Sequence, residues 1–189
     1  MDFIEITGSP CSGKSSFIAQ KVLRGEANQA NCKNYFIKIC NFYLGVRYLG
    51  LKRILVLLSW SLKENASLIF RINIFRNAVQ KFGLFQSLTT SISRGSNKYL
   101  VDEGLSHLSF LFLNTDTYRV VEFISEELKR IRVHYLKSPG NEVVKARLIK
   151  RGHKRLKFLS VNYFTEKNQS IEEILLILYP KLCKELDII

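Results

Sequence analysis

The sequence predicts an α/β fold in one domain, a parallel sheet of about four to five strands flanked by helices, and three observations predict it. First, a short apolar strand-like run (Phe3, Ile4, Ile6) leads straight into Gly8-Ser9-Pro10-Cys11-Ser12-Gly13-Lys14-Ser15, which opens a helix-like stretch from Ser16 to Leu23. Second, another apolar run, Tyr99-Leu100-Val101, ends abruptly in Asp102-Glu103-Gly104. Third, Ile131 to Leu136 forms a strand-like run stopped by Ser138-Pro139-Gly140, with helical periodicity filling the spans between the strands. No Pro/Gly-rich linker, internal repeat or low-complexity tract divides the 189 residues.

The first of these stretches has the G-x-x-x-x-G-K-S spacing. A phosphate chain needs several backbone N–H groups aimed at one point, and glycines let the backbone turn tightly and come close. The helix that follows adds the positive end of its dipole. In such a P-loop Lys14 reaches the β- and γ-phosphates and the Ser15 hydroxyl ligates Mg²⁺. Gly8, Ser9, Pro10, Cys11, Ser12, Gly13, Lys14, Ser15 and Ser16 are therefore the expected cradle of a nucleoside triphosphate.

The remaining elements follow in chain order. Gly25 to Lys33 is polar and loop-like, and Tyr35-Phe36-Ile37-Lys38-Ile39-Cys40, rich in β-formers, reads as the second strand. Asn41 then falls at the strand end where ligands bind in open α/β sheets. Residues 42–95 read as a helical acceptor-side region. Phe42 to Leu62 is strongly apolar, but Arg47, Lys52 and Arg53 interrupt it, which argues against a membrane-spanning helix. A helix pair covering the sheet fits this stretch, and a basic amphipathic surface resting on a membrane or a lipid-linked substrate is the alternative. A second helical stretch runs from Ile69 to Phe82 with Arg71, Arg76 and Lys81 between its apolar positions; Gly83 punctuates it, and Leu84 to Ile92 reads as a further short helix. The third strand ends in Asp102, a carboxylate that must emerge beside the P-loop to hold Mg²⁺ or its waters, with Glu103 next to it. Leu105 to Leu113 and Tyr118 to Arg130 read as helices, and His134 lies inside the fourth strand as a core or surface histidine. Half of the sixteen residues from Glu142 to Lys157 are basic: Lys145, Arg147, Lys150, Arg151, His153, Lys154, Arg155 and Lys157. Arg147 and Arg151 stand four apart on one helical face, so 141–157 reads as a phosphate-facing lid. Ser170 to Ile189 reads as a terminal helix.

The charge balance is unusual, with 29 Lys and Arg against 16 Asp and Glu, a net charge of +13. One nucleotide uses only a few of those charges, so a second anion is expected: a nucleotide, a phosphorylated sugar, nucleic acid or an acidic membrane surface. Arg53, Arg71, Arg76 and Arg94 are the candidate contacts to such an acceptor, with 42–82 and 142–157 as opposite walls of one cleft. The cysteines Cys11, Cys32, Cys40 and Cys183 show no C-x-x-C pair, which argues against zinc or a disulfide framework. The strand that starts almost at the first residue leaves no space for a signal peptide, so a cytoplasmic protein is expected.

Residues 8–15, 99–104 and 147–152, in this order, resemble the P-loop small-molecule kinases: the nucleoside monophosphate, thymidylate, shikimate, gluconate and adenylylsulfate kinase group. The resemblance implies a parallel sheet flanked by helices, ATP and Mg²⁺ as cofactors, and a mobile lid carrying arginines. It matches Lys14 and Ser15 to the P-loop lysine and metal ligand, Asp102 to the strand-end carboxylate, and Arg147 and Arg151 to the lid arginines. Asp102-Glu103-Gly104 stands where thymidylate kinases have Asp-Arg and deoxynucleoside kinases Glu-Arg-Ser. The fifth strand has a counterpart only if Leu186 to Ile189 supplies it. The function implied is phosphoryl transfer from ATP to a small anionic acceptor, a nucleotide, a sugar or a lipid-linked sugar, with Asp102 as metal ligand or base. The second reading is an NTP-hydrolysing regulatory or assembly module gripping nucleic acid or membrane, in which Glu103 orients water.

Overall fold

The computed structural model describes residues 3–26, 28–30, 34–91 and 99–189. Strand β1 (Phe3–Gly8) lies at the centre of a five-stranded sheet, with β3 (Tyr99–Asp102) on one side and β4 (Arg132–Leu136) on the other. A two-residue β2 (Asn28–Gln29) flanks β3 and β5 (Glu185–Ile188) flanks β4, so the order is β2-β3-β1-β4-β5 and every pairing is parallel. Side chains alternate across the sheet. Ile6, Leu100 and Leu136 face Ile18 of α1 (Lys14–Leu23), while Phe3, Val101, Val133 and Tyr135 enter the larger core on the other face. The chain runs from β1 out to β2, back to β3, and then across β1 to β4. The connections diverge around the C-terminal end of β1, where an open parallel sheet leaves a crevice.

The residues predicted as the second strand are helical instead. Tyr35–Cys40 opens α2 (Tyr35–Leu62), and the Asn34 side chain caps it by accepting from the Phe36 N–H at 2.9 Å. The aromatic and β-branched residues there suit either state in isolation, and packing against α3 (Leu68–Ser91) decides for helix. Asn41, expected at a strand end, is buried inside α2. The true β2 consists of two exposed polar residues and carries no apolar alternation to announce it. A non-helical Gly50 (φ 66°) kinks α2, which otherwise continues to Leu62. Gly83 does not end a helix either, because α3 runs through it. A Cβ on Gly83 would stand 1.7 Å from the Asn41 carbonyl oxygen, so the glycine is there to let the two helix backbones touch.

A 3₁₀ turn (Leu105–His107) leads into α4 (Leu108–Leu111), followed by α5 (Thr117–Phe123) and α6 (Ser125–Leu128), which split the helix predicted over Tyr118 to Arg130 at Ile124. Arg53 is a structural residue, not an acceptor contact. Its guanidinium donates to Glu127 Oε1 and to the Phe123 carbonyl, both at 2.7 Å, and lies over the Phe123 and Phe82 rings. Glu127 is buried and also accepts from the Tyr48 hydroxyl, so this pair ties α2 to α5 and α6. Beyond β4, α7 (Asn141–Arg151), a 3₁₀ turn (Lys154–Lys157) and α8 (Val161–Leu182) pack on the larger core. The last residues are a strand rather than the end of a helix. Arg132 pairs with Glu185, and His134 with Asp187, each at 2.8 Å across β4 and β5. The fifth strand thus exists, and His134 serves to hold it.

Gly83→Ala is expected to destabilise the protein by about 2 kcal/mol or more, because backbone cannot move aside as a side chain can. The midpoint of denaturant unfolding measures it, with Ala at the exposed Ser170 of α8 as the control.

Candidate functional site

Loop 9–13 joins the central strand to α1 by a backbone that few residues tolerate. Gly8 has φ 142°, and a Cβ there would stand 2.2 Å from the Leu136 carbonyl oxygen, so β4 packs directly on the loop. Cys11 takes φ 65° without being glycine, a strained conformation of the kind concentrated at functional sites. The hydroxyls of Thr7, Ser9 and Ser12 are buried and make no hydrogen bond to protein. Buried donors left unpaired around a loop of this shape fit a ligand rich in acceptor oxygens.

Lys14 opens α1 and is only 5% exposed. Its ammonium donates to the Gly8 and Ser9 carbonyls at 3.1 and 2.9 Å and pairs with Glu103 Oε1 at 3.2 Å. Glu103 follows the last residue of β3 in a left-handed conformation (φ 55°), which turns its carboxylate back over the loop. Burial alone would raise that carboxyl, but His107 in its protonated form, Lys14 and Lys81 outweigh it and hold it well below the usual range. His107, 3.5 Å from Glu103, is itself drawn down to about 3 by burial. The imidazole is therefore neutral at pH 7, and the ionic partners of Glu103 are the two lysines. Burial also pulls the Lys81 ammonium below its ordinary value, against the carboxylates of Glu103, Glu5 and Asp102. Glu5, in the middle of β1, is buried and accepts the Leu105 and Ser106 N–H groups at 3.0 and 2.8 Å. It anchors the turn that carries Glu103 and His107.

A cleft opens from this cluster. Next to the loop, a small recess is lined by Cys11, Gly13, Lys14, Ser15, Ser16, Glu103 and Arg151. Glu103 is shared with a second pocket of about 260 Å³, where Asp102 and Asn41 meet Asn77, Gln80 and Lys81 of α3. Asn77 is shared in turn with a third pocket, about 570 Å³, whose cations are Arg76, Arg151, Lys154 and Arg155 and whose lining holds no carboxylate. Arg155 is already engaged, by the Leu111 carbonyl at 2.5 Å and by Glu64 at 3.6 Å. Arg147 stays beside the loop and donates to the Cys11 carbonyl at 2.9 Å.

Comparison with solved structures settles the architecture. The chain superimposes along 99% of its length, with a TM-score of 0.52 and 10% identity, on deoxyadenosine kinase from M. mycoides with the products dCMP and dCDP bound, covering 88% of that chain. The same enzyme with bound dATP matches with a TM-score of 0.53 and 13% identity, over 100% of this chain and 90% of that one. The chain has the fold of the P-loop kinases. No protein-family model matches the sequence, and no curated protein matches it.

Within this P-loop kinase fold, the cradle residues, Asp102, Glu103, Arg147 and Arg151 gather at one edge of the sheet. Asn41 and Arg76 reach the same cleft, Asn41 from inside a helix rather than from a strand end. Arg71 is half-buried and its charge acts on Glu64, Arg53 is the structural pin described above, and Arg94 lies outside the described residues. Sequence reading missed Lys81, Asn77 and Gln80 as site residues and Glu5 as a buried support. Asn77, Gln80 and Lys81 stand at spacings of three and four along α3, hence on one helix face, a pattern that could have marked them. Ser15 and Asp102 are exposed and offer hard oxygen donors that fit Mg²⁺. Among the described residues no three His, Cys, Asp or Glu side chains cluster as a metal site.

His107 binds a proton in the unfolded chain near pH 6.5 and in the folded one only near 3. The unfolded state therefore holds more protons in between, and stability falls as pH drops through that window, by up to about 1.4 kcal/mol per pH unit from this group. Urea unfolding at pH 7 and pH 4.5 should show the loss, and His107→Gln should reduce it.

Proposed function

We propose that this chain is an ATP- and Mg²⁺-dependent kinase that transfers a phosphoryl group to a small anionic acceptor, a nucleotide, a sugar phosphate or a lipid-linked sugar. One observation carries the reading: the recess holding Lys14, Ser15 and Glu103 opens through Arg151 and Glu103 into a cleft whose far part is lined by cations without a carboxylate. The dATP, dCMP and dCDP bound to the deoxyadenosine kinases support nucleotide use here.

In this mechanism Lys14 exchanges the Gly8 and Ser9 carbonyls and Glu103 for β- and γ-phosphate oxygens. Ser15 and Asp102 would hold Mg²⁺, which when bound neutralises phosphate charge and orients the transferred group. Glu103, made more basic once Lys14 turns to the phosphates, accepts the proton of an acceptor hydroxyl in the adjoining pocket. That oxygen attacks the γ-phosphorus, and ADP leaves with the electrons of the broken bond. Arg147 and Arg151 meet the charge that develops during transfer, and Arg76 and Lys154 hold the anionic part of the acceptor. Such a reaction belongs in the cytoplasm, where ATP is plentiful.

A panel of sugars, sugar phosphates, nucleosides and nucleotides incubated with ATP and Mg²⁺, read as ADP release above the acceptor-free rate, tests the proposal. Lys14→Ala should lower turnover by about 100-fold or more, on the order of 3 kcal/mol of phosphate contact. Glu103→Gln should lower kcat by about 100-fold or more with ATP affinity nearly unchanged. Rapid ADP release that no acceptor accelerates would make the chain a hydrolase instead.

A further inference from the structure

Residues 35–91 contain the two longest helices, α2 and α3, and a single carboxylate, Glu64, which is 3% exposed. The outward side of this hairpin is apolar. Past the Gly50 kink, Leu51, Leu55, Leu58 and Leu62 follow one another at spacings of four, three and four, all of them exposed. That spacing lays them along one helix face, opposite the buried Leu57, Trp60 and Ser61. Across the turn, α3 begins with Ile69 and Ile72, which are 75% and 55% exposed. Exposed leucines and isoleucines in such a row are not ordinary surface.

Lys52 and Lys63, both exposed, stand eleven positions apart, three turns along the flank of the leucine row. Their charge decides between occupants. A second copy of the chain, itself at +13, would bring these lysines against a hairpin with no exposed carboxylate between residues 35 and 91. An anionic lipid surface complements both parts, with leucines in the acyl boundary and lysines among the headgroups. Among the described residues no helix is long and apolar enough to cross a membrane, so the hairpin would lie along the interface. The first turns of α3 lead directly to the cationic pocket, which Phe70, Asn73 and Arg76 line.

We propose that the α2–α3 hairpin is a docking surface for an anionic bilayer. The proposal stands apart from the catalytic reading, and its test needs no activity. The full chain is co-sedimented with vesicles of phosphatidylcholine alone or with about one third phosphatidylglycerol, at low and high salt. Binding at least about tenfold stronger to the anionic vesicles, and weakened by salt, is expected. Leu55→Ser with Leu58→Ser, both at exposed positions, should abolish binding at an unchanged melting temperature. Lys52→Glu with Lys63→Glu should weaken binding to anionic vesicles about tenfold or more. Equal binding to both vesicle types, or undiminished binding of the leucine variant, overturns the proposal. So does a dimer in sedimentation equilibrium that the leucine variant dissolves, because the same face is then occupied by a second copy.

Discussion

Lys14 holds a positive charge at 5% exposure in the middle of the molecule, and much of the surrounding structure follows from that. An ammonium out of water needs partners, and it takes two carbonyls of its own loop and the carboxylate of Glu103. Glu103 can reach it because β3 lies beside β1 and the chain turns left-handed just after Asp102. The turn that follows is fixed by Glu5, a carboxylate buried in β1 whose two acceptor bonds replace its hydration. Lys81 then joins from α3. Carboxylates and lysines alternate in a space too dry for either sign alone, and a phosphate chain entering it would replace Glu103 as the anion beside Lys14.

The hairpin of α2 and α3 gives the fold its second constraint. Two helices lie close enough that a methyl group at Gly83 would overlap a carbonyl, and Arg53 pins the pair to α5 and α6 through a buried carboxylate. Rigidity here matters for the cleft, because Asn77, Gln80 and Lys81 stand on α3 within two turns of that crossing. The inward side of the hairpin is thus packed and polar toward the cleft, whereas its outward side is apolar and edged with lysine.

What the sequence by itself determined is the part with local causes. Residues 3–15 dictate a strand, a tight turn and the start of a helix, through apolar alternation and backbone conformations that glycine permits over a few positions. The apolar run ending in Asp102 and the Arg147–Arg151 spacing are equally local; Arg147 bonds the Cys11 carbonyl and Arg151 lines the recess beside the loop, while Asp102 lines the adjoining pocket. The tertiary structure alone decided the rest. Tyr35–Cys40 has β-forming side chains yet is helical, because the partner that covers it is a helix; the real β2 is too short and polar to show a pattern. Arg53 and Arg76 look alike in sequence, but a buried glutamate claims one and the cleft receives the other. Lys81 and Glu5 owe their roles to neighbours far away in the chain. Burial and long-range charge exist only once the chain has closed on itself, so no window of sequence contains them.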